Sequence, residues 1–144
     1  MGKSYITLLD STHIGAAQYT ISQASGKTFR EQAMETIKGP NGEKIMHEAV
    51  TPYGFKGVYG FLMDDSALFN QEGFNLYGTA LYYNPSVDTT SSSIYLSPIK
   101  GNAIVGKWII TEDGYDLDYL DDEEVNEVID LMDESLARYN ELEG

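Results

Sequence analysis

Short runs of alternating apolar and polar residues fill the first two thirds of the chain, and helical spacing takes over at its end. Ser4 to Asp10 (SYITLLD) is β-branched and apolar and predicts a first strand. Ser11, Thr12 and Gly15 punctuate a turn. In Ala16 to Ser22, Ala17, Tyr19 and Ile21 fall on one face and Gln18, Thr20 and Ser22 on the other, which predicts a half-buried second strand antiparallel to the first. Thr28 with Glu31 three residues on makes a capping box, and Phe29, Ala33, Met34 and Ile37 follow at helical spacing. That helix is expected to stop at Gly39-Pro40, with Asn41-Gly42 continuing the turn.

Glu43 to Val50 fits strand or helix, and Thr51 to Gly54 reads as a turn. Phe55 to Met63 predicts a strand in which Gly57 and Gly60 mark a bulge or a close backbone approach. Asp64-Asp65 begins a turn, Ser66 to Asn70 is a brief extended piece, and Asn75 caps a short helix through Tyr83. Residues 84–93 (NPSVDTTSSS) predict a mobile loop, and Ile94 to Leu96 a short strand. Asn102 to Ile110 is the strongest strand and is expected to be central. After a turn at Asp113-Gly114, Asp121 and Glu124 form a second capping box. Val125, Val128, Ile129, Met132, Leu136 and Tyr139 then draw one apolar stripe.

These elements predict a single α+β domain over residues 1–144. Its sheet is mixed or antiparallel, with helices packed on one face and a long acidic C-terminal helix over about 121–142. No repeat of solenoid period interrupts it.

Charge sharpens the picture. The chain carries a net charge of −14. Fourteen of its carboxylates but only one base, Arg138, fall between Thr111 and Gly144, so the rest is nearly neutral. Such a field repels nucleic acid and anionic membranes and attracts basic surfaces. There is no cysteine, which excludes disulfides and thiolate metal sites and fits a cytosolic protein. The apolar run near the N-terminus is too short for a signal segment or a membrane span.

Glu123, Glu127, Asp130, Glu134 and Glu141 line up opposite the apolar stripe. A solvated face that keeps the chain soluble is the plain reading. Against it, the charge is segregated, and like charges four apart destabilise a helix. Glu141 and Glu143 also sit at the end where the helix dipole disfavours them. The sharper reading is a phosphate mimic: ridge acids recur about every 6 Å along a helix, within a factor of two of the duplex phosphate spacing.

Other constellations have plainer explanations. Asp116, Asp118, Asp121 and Asp122 are dense, but the glycine of a calcium loop is missing, and Asp64-Asp65 lacks a third carboxylate. His47 and Glu48 point to opposite faces of a strand, and Ser11 and His13 belong to no nucleophile motif. Gly54, Gly57 and Gly60 lack the Lys-Ser/Thr of a phosphate loop. No catalytic residue, metal or cofactor is expected. The tyrosines exceed what a small core needs, and Tyr115 and Tyr119, inside the acidic stretch, are expected on a partner surface.

His47 to Val50 (HEAV), Asp64 to Phe69, Gly73 to Leu76, Gly101 to Gly106 and Leu120 to Glu124 together resemble a family found in phages and plasmids, catalogued only as a domain of unknown function. The resemblance implies an accessory protein of a mobile element, in the cytoplasm of its host bacterium, and supplies no catalytic residues. The expected function is non-enzymatic binding. An acidic face made of Tyr115, Tyr119, Glu123, Glu127, Asp130 and Glu134 would engage a basic host or element protein, in its finest form as a DNA mimic that inhibits host defence. The alternative is a nucleotide-binding or sequestering protein whose pocket uses tyrosines with Lys56, Lys100 and Lys107. A small enzyme and a structural or dimerising module are further rivals. Direct nucleic-acid or membrane binding is not expected, and oligomeric state is left open.

Overall fold

The β-branched run Ala103–Thr111 forms β5, a nine-residue strand at the centre of a six-stranded, wholly antiparallel sheet. The computed structural model describes residues 2–11, 17–38, 46–65, 73–84 and 99–143. Around β5 stand β1 (Ser4–Leu9) and β4 (Tyr59–Asp64), flanked in turn by β2 (Gln18–Gln23) and β3 (His47–Val50). The last strand, β6 (Gly114–Asp118), returns along the far half of β5. It lies end to end with β1, because Leu120 just beyond it exchanges backbone hydrogen bonds with Ser4 at 2.8 Å.

Three α-helices cover the sheet among the described residues: α1 (Phe29–Thr36), α2 (Leu76–Tyr82) and α3 (Asp122–Glu143). Ile6, Phe61, Met63, Val105 and Leu120 pack beneath α2 and α3, with Val125, Val128 and Met132 from α3. Tyr5, Leu62, Ile104 and Leu117 point the other way and pack against Phe29 and Ala33 of α1. The α+β class and the antiparallel sheet hold, but the helices divide between the two faces instead of sharing one. The reason lies in the central strands. β1, β4 and β5 carry large apolar residues at successive positions, so both of their faces need cover.

Several local expectations are met atom by atom. Thr28 accepts from the Glu31 amide at 3.1 Å while the Glu31 carboxylate accepts from the Thr28 amide at 2.9 Å. That pairing, backbone amide first, holds the Glu31 carboxyl below its ordinary pKa. Asn75 caps α2 through the Gly78 amide at 2.9 Å, and its side-chain amide donates to Leu8 and Gly101 carbonyls. Other details differ. Phe55 belongs to a 3-10 turn (Tyr53–Phe55), and β4 starts only at Tyr59. The Asp113-Gly114 turn is a hairpin tip with a strand beyond it. The expectations at 12–15, 39–42, 66–70, 85–93 and 94–96 lie outside the described residues, as does His13. Among the described residues no helix is long and apolar enough to cross a membrane.

Candidate functional site

The acidic helix is set on the sheet from its first turn. Asp121 caps α3 by accepting from the Glu124 amide at 2.8 Å, and Glu124 reaches back to the Asp121 amide at 2.9 Å. The second oxygen of Glu124 meets the Lys107 ammonium on β5 at 2.6 Å, and this hydrogen bond raises the lysine pKa. Further along, the buried Tyr77 hydroxyl donates to Asp133 at 3.1 Å, and the Tyr59 hydroxyl donates to Glu127. Burial first, and the neighbouring carboxylates second, push both phenols up to about 12. The excess of tyrosines thus has a partial explanation. Two of them reach out of the core to hold acids on the flanks of α3.

With Val125, Val128 and Met132 buried, Glu123, Glu127, Asp130, Glu134 and Glu141 are all exposed. At about 100° per residue these five lie within about 60° of one another, diametrically opposite the buried stripe. The ridge runs about 27 Å from Glu123 to Glu141. None of its acids pairs with a base among the described residues. The result is an exposed line of carboxylates without a described basic partner, in which Glu127 bends back to the Tyr59 hydroxyl and Glu134 borders the turn at 53–57.

The two tyrosines do not join it. Tyr119 is only 8% exposed. Its hydroxyl donates to the Lys27 and Thr28 carbonyls at 2.7 and 3.1 Å, and its ring packs against Phe29 and Tyr5. It anchors α1 to the β6 edge and has no surface to offer a partner. Tyr115 is 74% exposed, but it stands opposite Ile110 on the hairpin, on the α1 side with Leu117 and Trp108. Of the six residues expected on one partner surface, Glu123, Glu127, Asp130 and Glu134 share one exposed face of α3. Tyr115 lies across the sheet, and Tyr119 lies inside.

The remaining candidates resolve into structural roles. Asp116 pairs with Arg30 at 2.7 Å and accepts from its neighbour's amide, as Asp118 does. No group of three or more metal-ligating side chains assembles among the described residues. His47 hydrogen-bonds the Ile37 carbonyl at 3.1 Å. Gly60 makes room for the Trp108 ring, since a Cβ there would lie 2.7 Å from its Nε1. Lys107 is engaged at the start of α3, Lys100 sits in a backbone bridge to Phe74, and neither lines the concavity that Lys56 borders.

One concavity went unread in the sequence. The 53–57 turn and the C-terminal half of α3 enclose about 610 Å³, lined by Tyr53, Lys56, Glu134, Ser135 and Arg138 among others. Arg138 is the one base of the acidic segment, and that isolation was the available signal.

Fold and site together define a six-stranded antiparallel α+β domain with a fixed acidic ridge on its longest helix. No family model matches the chain, and neither the curated proteins nor the solved structures contain a match. The likeness to the phage- and plasmid-borne family therefore gains nothing from these comparisons.

Proposed function

We propose that this chain is a non-enzymatic binding protein that engages a basic protein surface through the α3 ridge. The observation that supports this most is the geometry of the acids. Glu123, Glu127, Asp130 and Glu134 are exposed and without a described basic partner, on a helix held by a buried stripe and by three polar grips beneath it. A rigid line of charge loses little conformational freedom on binding, which is what long-range complementarity needs. The partner is a host or element protein whose basic groove ordinarily takes nucleic acid, and the ridge occupies that groove in place of phosphates. The setting is the cytoplasm of a bacterium that carries a phage or plasmid.

The test is affinity capture from a bacterial lysate with the wild type and with a variant carrying Glu123→Gln, Glu127→Gln, Asp130→Asn and Glu134→Gln. Captured nucleic-acid-binding proteins should dissociate steeply with salt, fail to bind the variant, and lose their DNA to added wild-type protein. Identical partners with identical salt dependence for both proteins would remove the proposal.

A further inference from the structure

Of nine lysines and arginines, two line a single concavity, beside an acidic ridge to which neither is tied. The turn that carries Lys56 can approach α3 because residue 54 is glycine: a Cβ there would stand 2.3 Å from the Ser135 hydroxyl oxygen. Lys56 itself holds a left-handed backbone, φ 55 and ψ 28. That conformation is costly for a side-chain-bearing residue, and such strain persists only where the surroundings enforce it. From the other wall comes Arg138, whose guanidinium rests over the Tyr53 ring at 5.3 Å.

Arg138 makes no described hydrogen bond through Nε or Nη2, although both atoms are buried. Glu134, one turn earlier on the same helix, lines the concavity without forming an ion pair with it. Nε and Nη2 are the two donors along one edge of the guanidinium. That edge meets two oxygens of one carboxylate or phosphate at once. A buried donor pair without acceptors is an incomplete arrangement. With no hydrogen bond through Nε or Nη2, the flexible stem can swing that edge into the cavity at the cost of the ring contact.

We propose that this concavity is a binding site for a small molecule bearing an oxyanion, phosphate or carboxylate. Arg138 grips the group bidentately, and Lys56 supplies the second positive charge. A volume of about 610 Å³ exceeds what the anion alone fills and leaves space for an organic portion. The exposed ring of Tyr53 offers that portion a face to stack on. Glu134 at the rim favours a molecule that also carries a hydrogen-bond donor.

Isothermal titration in chloride-poor buffer tests the site with three probes: inorganic phosphate, adenosine monophosphate and succinate. Saturable binding at roughly millimolar or tighter affinity is expected for at least one of them, and which one responds separates phosphate from carboxylate. Arg138→Gln should weaken that binding by roughly 10- to 100-fold, the range for hydrogen bonds to a charged group. Arg138→Lys keeps the charge without the fork and should fall between. Lys56→Gln should weaken binding less than Arg138→Gln, and Lys100→Gln should leave it unchanged. Circular dichroism confirms that each variant is folded. Silence with all three probes, or equal binding by folded Arg138→Gln, would overturn the site. A variant carrying Glu123→Gln, Glu127→Gln and Asp130→Asn should bind the anion at least as well as the wild type, so this site and the ridge fail or stand separately.

Discussion

Gly54 and Ser135 meet with no space for a side chain between them, since a Cβ at position 54 would lie 2.3 Å from the serine hydroxyl oxygen and 2.8 Å from Leu81 Cδ2. The contact joins the 3-10 turn to α2 and α3 at once and sets the floor of the Arg138 concavity. Gly54→Ala must push this junction apart, and overpacking of this kind costs typically about 1–3 kcal/mol. The midpoint of urea unfolding should fall accordingly. Adding Ser135→Ala should restore only part of the loss, because Leu81 remains in the way. An unchanged midpoint for Gly54→Ala would mean that the turn does not press on α3.

How far the sequence carried this fold depends on how local each signal was. Both capping boxes, Thr28 with Glu31 and Asp121 with Glu124, were readable because each is a four-residue device complete in itself. The β5 strand and the α3 stripe were readable from periodicity alone. β6 was not, although Tyr115, Leu117 and Tyr119 alternate with Asp116 and Asp118. The segment is weighed only as a cluster of acids after the Asp113-Gly114 turn, and its plain period of two goes unused. Tyr119 is expected on the surface because it sits among acids, although the same alternation puts it in phase with the buried Leu117. The Arg138 concavity was out of reach for another reason. It joins residues about eighty positions apart, and only the missing side chain at Gly54 brings them together.

Tyr115 and Tyr119 are four residues apart and should respond to substitution in opposite ways. Tyr119→Phe leaves the Lys27 and Thr28 carbonyls without their buried donor, at a cost of about 1–2 kcal/mol in unfolding free energy. Tyr115→Ser removes an exposed ring and should change stability by less than about 0.5 kcal/mol. Urea unfolding of the two variants side by side decides the matter. Equal small effects would return Tyr119 to the surface.

Alkaline pH should loosen the grip on α3. The phenols of Tyr59 and Tyr77 lie at about 12 in the fold against an ordinary value of 10.0. A raised folded-state value means that the unfolded chain loses the proton first. The contribution of these phenols is therefore complete below about pH 10 and is lost as pH climbs towards 12. Each shift corresponds to on the order of 2 kcal/mol. Denaturant midpoints should not change with pH through these groups near neutrality and should drop across the alkaline window. In a Tyr59→Phe/Tyr77→Phe variant the drop should be smaller. A variant with an undiminished drop would assign the alkaline loss to other groups.

Neutralising the middle of the ridge should make the protein more stable. Glu127, Asp130 and Glu134 are exposed and follow one another at three- and four-residue spacing, where like charges repel by roughly 0.2–0.5 kcal/mol per pair. Glu123 is best left in place for this measurement, since an acid in the first turn favours the helix dipole. Changing the other three to Gln, Asn and Gln removes repulsion within the set and with Glu123, against the loss of the Tyr59 contact to Glu127. A net gain of about 0.5–1 kcal/mol is expected at low ionic strength, shrinking as salt screens the wild type. A fall in stability would make the ridge a structural feature and leave solubility as its plain explanation. A rise in stability together with loss of partner capture would mark the ridge as a surface kept for binding at a cost to folding, which is how functional sites commonly stand against stability.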